Sequence, residues 1–229
     1  MCRRSGYLVL LLAIPLMAAD PAWMNKEVAQ WSKEDAKQFL NSSPWVAKTE
    51  VTILPQRSEA QMREAGRMGM MKGGVGLEAL SPSILTGLGG GNRLVKKPAK
   101  RQTLPVRWES ASLIRSAELK TGDERAPAWE GDYYAVAVYD VPGLEDQKTL
   151  PLELRKSSFL RLRGEKDIKP SRVDLLFNEN GATVVFLFPR TQPITKRDAH
   201  IWFVAQIGQL FLEQSFETGK MQFRGKIDL

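Results

Sequence analysis

The dipeptide Asn180-Gly181, set between two alternating apolar runs from Arg172 to Pro189, constrains this chain more than any other feature. Both residues tolerate the positive φ that the centre of a two-residue type I′ hairpin loop requires. Such a loop pairs Glu179 with Ala182, Phe177 with Val184, Leu175 with Phe186 and Val173 with Phe188. Val173, Leu175, Phe177, Val184, Phe186 and Phe188 then share one face, and that face must be buried. A register slipped by two residues keeps these faces, whereas a slip by one mixes them. Leu176, Val185 and Leu187 on the other face predict a covered, central pair of strands.

The rest of the chain supplies partners for this hairpin. Lys48 to Leu54 alternates with Val51 and Ile53 inward, and Leu104, Val106 and Trp108 line one side of a further strand. Tyr133 to Val141 is apolar on both faces, which places it in the middle of a sheet. From Ile201 to Leu229 the alternation predicts two or three antiparallel strands, with Gly208 read as a bend or bulge. Three helices are expected. The first has Ser32 as N-cap, Glu34 and Asp35 near the positive end of its dipole, and Ala36, Phe39 and Leu40 on one face. The second carries Leu113, Ile114 and Ala117, is capped by Ser110 or Ser112, and ends at Thr121-Gly122. Leu150 to Arg163 alternates at its start like a strand, but Pro151 in a first turn and Arg161 and Arg163 near the end favour a helix. The expected fold is α+β: an antiparallel β-sheet with two or three helices packed on one face.

Trp31, Phe39 and Trp45 read as an aromatic clamp that packs the first helix onto the sheet. Over Trp31 to Lys48, with its tryptophan, short acidic helix and Ser43-Pro44-Trp45 step, the chain resembles a group of uncharacterised exported bacterial proteins. The resemblance implies export and brings no activity to carry over.

The chain opens on Arg3-Arg4, an apolar run from Tyr7 to Met17 and Ala18-Ala19, the order of a secretory signal peptide. Cleavage near Ala19 is expected, and an uncleaved anchor is the alternative, although the run is short of the roughly 20 residues a membrane-spanning helix needs. Loss of two arginines then takes the formal net charge from +7 to +5. Because Cys2 is the only cysteine, cleavage also leaves a cysteine-free mature chain. The expected organisation is a signal peptide at 1–19, a helix and strand at 20–55, a flexible Gly/Met-rich insertion at 56–102, and an α+β core at 103–229 that folds as one unit with 20–55. The insertion is set by nine of the chain's eighteen glycines falling between Gly66 and Gly91, interleaved with Met62, Met68, Met70 and Met71.

Candidate chemistry is limited by what is missing. One cysteine and one histidine, His200, exclude thiolate zinc sites and paired-histidine metal motifs, so no metal or cofactor is expected. There is no Gly-x-Ser-x-Gly elbow, and His200 has only Asp198 as a close acid. A carboxylate hydrolase acting on envelope glycans would use Glu109 with Glu130 or Asp132, beside Trp108 and Trp129 as sugar platforms. Lys96, Lys97, Lys100 and Arg101 form a basic cluster suited to an anionic envelope polymer, whereas export argues against nucleic acid. The favoured reading is an exported, periplasmic or extracellular, non-catalytic binding or assembly module, its partner such a polymer or another envelope protein. A glycan hydrolase and a carrier of an apolar ligand are the alternatives.

Overall fold

In a computed structural model of the chain, residues 21–54, 102–144 and 150–229 are described. The predicted signal peptide, nearly all of the Gly/Met-rich insertion and the basic residues Lys96, Lys97, Lys100 and Arg101 lie outside them. One expectation of composition is corrected: the chain contains a cysteine, Cys2, and so is not cysteine-free.

The fold is α+β, a half-barrel antiparallel sheet with helices packed on one face. Two short 3-10 turns, Ala22–Asn25 and Val28–Gln30, precede helix α1 (Lys33–Ser42), strands β1 (Val46–Ile53) and β2 (Gln102–Trp108), and helix α2 (Ser112–Thr121). Then follow β3 (Tyr133–Val141), α3 (Leu150–Lys156), β4 (Ser158–Leu162), β5 (Arg172–Asn178), β6 (Gly181–Pro189), β7 (His200–Ile207) and β8 (Leu210–Glu217). A small hairpin, β9 (Gln222–Phe223) and β10 (Lys226–Ile227), ends the order. The eight-stranded sheet runs β4-β7-β8-β1-β2-β3-β6-β5. Its two parts join at the β1–β8 seam, which pairs only Thr52 with Phe211 and Ile53 with Leu210. The two halves of the sheet close on each other, so that Phe186 of β6 and Phe203 of β7 meet edge to face at 5.2 Å although four strands lie between theirs.

The concave face and the helices share one core. Ala36, Phe39 and Leu40 of α1, Leu113, Ile114 and Ala117 of α2 and Leu154 of α3 join Val106, Trp108, Phe186, Phe203 and Phe216 in it. The N-terminal aromatic clamp is present. Phe39 contacts Trp31 at 5.0 Å and Trp45 at 5.3 Å, and Trp23, which the sequence reading passed over, adds a contact at 4.8 Å. Ser32 caps α1 in a reciprocal box with Asp35, whose carboxylate also takes a 2.6 Å bond from Lys26. On the outer face Ala135, Ala137, Tyr139, Val185 and Leu187 form a smaller cluster, with Trp129 and Tyr133 packed against it.

Several local expectations are corrected. The 172–189 hairpin turns on Glu179-Asn180, pairing Asn178 with Gly181, Leu175 with Val184 and Val173 with Phe186. Its faces are those expected, with the register slipped by two. Asn178 Oδ1 accepts from Asn180 N at 2.9 Å, an Asx turn that removes the need for positive φ at Asn180. Gly181 is required for another reason: its φ is +135° and an added Cβ would stand 2.7 Å from the Val141 carbonyl oxygen. The hairpin is not central, because β5 is an edge strand and Phe177 is 48% exposed. Leu150 to Arg163 is a helix only as far as Lys156, and Ser158–Leu162 then pairs with β7. Val51 is buried, but Ile53, at the open seam, is exposed. Gly208, at φ +59°, sits in the two-residue turn of a β7–β8 hairpin that pairs Ile207 with Leu210.

Candidate functional site

Strand alternation sends Val106 and Trp108 into the concave core and Arg107 and Glu109 to the outer side. There α2 supplies Glu118, the following loop supplies Asp123 and Arg125, and β3 supplies Tyr139. Arg107 Nη1 donates to Glu118 Oε1 at 3.0 Å, Asp123 Oδ2 at 3.3 Å and Tyr139 OH at 3.3 Å. Tyr139 OH in turn donates to Glu109 Oε1 at 2.6 Å, and the Arg107 guanidinium lies 4.7 Å from the centre of the Tyr139 ring. A second cation extends the network: Arg115 Nη1 donates to Glu118 Oε2 at 2.9 Å and to the Pro127 carbonyl at 2.7 Å, with its guanidinium over Trp129. Arg107, Glu109 and Glu118 are all buried. Charges at such depth persist only when each is paired.

Burial pushes the Glu109 carboxyl well above the usual range, and the neighbouring Glu118 charge pushes it further, against the pull of Arg107. Glu109 Oε2 is buried and has no donor facing it. Asp123 moves the other way. Burial alone would raise it, but the Arg125 backbone N–H and the Arg107 and Arg125 charges hold it below the ordinary aspartate value.

Beside this network β3 is irregular. Its register shifts between Val138 and Val141, where Asp140 takes φ +55°, a left-handed conformation that costs a non-glycine residue about 1 kcal/mol. The shift leaves Asp140 Oδ2 4.0 Å from Arg125 Nη1. Bulges of this kind re-aim side chains and concentrate beside functional surfaces. Between α1, the end of α2 and this loop lies a cavity of about 240 Å³ lined by Lys37, Leu40, Asn41, Arg107, Thr121, Asp123 and Arg125.

The residues singled out from sequence fall elsewhere. Glu109 is sealed in the network, whereas Glu130 and Asp132 stand exposed, Asp132 paired with Arg190 at 2.7 Å. They do not share a cleft. Trp108 is fully buried against Phe216 and Tyr134, and the face of Trp129 is taken by Arg115, so neither offers a free sugar platform. His200 is exposed at the start of β7, with Nδ1 3.3 Å from Ser215 Oγ and its ring stacked on Trp202. Lys37, Glu118, Asp123 and Arg125 were missed. The legible signals were Arg107 and Glu109 two apart on one strand face, and Arg115 and Glu118 three apart on one helix.

Among the described residues no group of three or more His, Cys, Asp or Glu side chains could hold a metal ion. No helix among them is long and apolar enough to cross a membrane. Fold and site together define a globular α+β domain with a curved sheet, consistent with a binding or scaffold framework. Comparison with known proteins finds no matching family profile, and no significantly similar curated protein or solved structure.

Proposed function

We propose that the protein is an exported, non-catalytic binding module of the bacterial cell envelope, whose groove beside Arg107 takes an anionic group of an envelope polymer. One observation carries this reading: three cations, Lys37, Arg107 and Arg125, line a cavity of about 240 Å³ in which Asp123 is the one carboxylate among the lining residues. The buried pairs to Glu118, Asp123 and Tyr139 hold Arg107 in place, so little ordering is needed when a ligand arrives. The formal net charge, +7 for the whole chain and +5 once Arg3 and Arg4 are removed, favours the same class of partner by long-range attraction. The charged, apolar, small-residue order of the N-terminus and the likeness of Trp31 to Lys48 to exported bacterial proteins support the compartment. Sealing of Glu109, the acid most strongly shifted among the described residues, supports a site without catalysis. The aromatic rings that meet across the sheet favour a filled interior over an apolar-ligand carrier.

Titration calorimetry of the full chain with alginate, a polyuronate, tests the proposal. Binding is expected to weaken steeply with salt and to vanish for neutral dextran of similar length. Lys37→Gln and Arg125→Gln are each expected to weaken it severalfold. Equal binding of dextran, or alginate binding that survives both substitutions, overturns the reading.

A further inference from the structure

The two outer strands of the sheet are β4 and β5, and α3 packs against both. Basic side chains gather around this helix. Arg155 and Lys156 end α3, Arg161 lies on β4 with Arg163 just beyond it, and Lys166 and Lys169 stand on the segment leading to β5; all six are exposed. Residues 150–171 carry these six cations against three carboxylates, whereas the other described residues carry fifteen cations against seventeen carboxylates. The charge of the described fold is therefore polarised, positive around α3 and slightly negative over the remainder.

Packing holds these cations on one surface. Arg155 Nε donates to the Pro170 carbonyl at 3.4 Å and Lys169 Nζ to the Lys156 carbonyl at 3.3 Å, which ties the end of α3 to the segment before β5. The Arg161 guanidinium and the Lys169 ammonium lie 4.8 Å and 4.7 Å from the centre of the same ring, that of Phe159 on β4. Of the three carboxylates, Asp167 is bound by Arg161 through two bonds of 2.9 Å. An apolar side chain stands among the charges. Leu152 is 50% exposed on α3, and Arg155 and Lys156, three and four residues further on, are its neighbours on the helix surface.

That leucine selects the partner. A soluble polyanion engages the cations alone, whereas at a bilayer surface an exposed leucine enters between head groups while the flanking arginine and lysine follow it with their aliphatic stems and keep their charges at the phosphates. We propose that the basic surface around α3 and β4 is a docking face for an anionic phospholipid membrane, with Leu152 as its apolar contact. Attachment is peripheral, reversible and weakened by salt, because it depends on charges that salt screens. It is independent of the groove beside Arg107.

Flotation of the full chain with phosphatidylcholine vesicles containing about one third phosphatidylglycerol tests it. The apolar run Tyr7 to Met17 and the cluster Lys96 to Arg101 are present in every variant, so differences between variants report on this face. A triple variant, Lys156→Gln with Arg163→Gln and Lys166→Gln, is expected to bind about a hundredfold more weakly, at roughly fivefold per charge removed. Lys33→Gln with Lys48→Gln and Lys226→Gln removes the same charge from exposed positions on α1, β1 and β10, and is expected to change binding by no more than about twofold. Leu152→Ser is expected to weaken vesicle binding severalfold and to leave binding of alginate unchanged. Vesicle binding that survives the first triple variant, or that falls equally in both, overturns the proposal. Vesicle binding indifferent to Leu152→Ser also overturns it and assigns the face to a soluble polyanion.

Discussion

At the scale of single residues the molecule turns on Glu109. Its proton is held in the folded chain above the ordinary glutamate range, first by burial and then by Glu118. For an acid raised in this way, the contribution to stability is complete below the unfolded value and is lost as pH rises through the folded one. Glu109→Gln removes the ionisation while keeping an acceptor for Tyr139 and adding a donor toward Glu118. It is expected to raise the melting temperature at pH 8, with the gain shrinking toward pH 5 in a series of thermal melts. Arg107→Met is expected to cost about 3–5 kcal/mol by urea denaturation, because it strands Glu118 and Asp123 without their shared cation. Asp35 has the opposite sign. The Lys26 bond and the Ser32 backbone N–H hold its carboxyl low, so the α1 capping box is intact above the ordinary aspartate value and fails as pH falls through the lower folded one.

At the scale of elements, the ends of the helices show what can be read locally. The Ser32 box, from residues three apart, and the left-handed Gly122 that stops α2 were both legible, because capping chemistry is contained in a few consecutive residues. The start of α2 was not. Its N-cap is Ala111, and neither Ser110 nor Ser112 closes it. Asp228 does so from 116 residues away: Oδ1 accepts from Ser112 N at 2.8 Å and Ser112 Oγ at 2.7 Å, and Oδ2 accepts from Leu113 N at 2.9 Å. Asp228→Ala is expected to lower the urea midpoint by the equivalent of about 1–2 kcal/mol with an unchanged slope. The same limit explains β4 and β5. Alternation identifies a strand face, but a strand's place at the middle or edge depends on partners elsewhere in the chain, which periodicity does not encode. The site was half legible for this reason: Arg107 and Glu109 mark a polar strand face, while Glu118, Asp123 and Tyr139 reach it only through tertiary packing.

At the scale of the whole molecule, the sheet consists of a five-stranded part, β1, β2, β3, β6 and β5, and a three-stranded part, β8, β7 and β4. Backbone pairing between them is short, and Thr49 Oγ1 to Gln214 Oε1 at 2.7 Å adds a side-chain link across the seam. The aromatic interior couples the parts more strongly. Phe203 touches both Phe186 and Phe188, so Phe203→Ala is expected to cost about 3–5 kcal/mol. Coincident unfolding by tryptophan fluorescence and circular dichroism is expected, because a shared core makes one cooperative unit. Separate transitions would show that the seam divides the domain.

The bond from Trp45 Nε1 to the Asp228 carbonyl, 2.6 Å long, joins residues 183 positions apart. At the 5–20 residues per second of synthesis, that separation is roughly ten to forty seconds of ribosome time. Until Asp228 emerges, β1 lacks its β8 neighbour for most of the wait, α2 lacks its cap, and the Trp45 indole has no acceptor. The nascent chain can form local hairpins but not the closed half-barrel. The five-stranded part is complete in sequence by Pro189, so what waits for the last forty residues is the closure of the half-barrel and not the sheet itself.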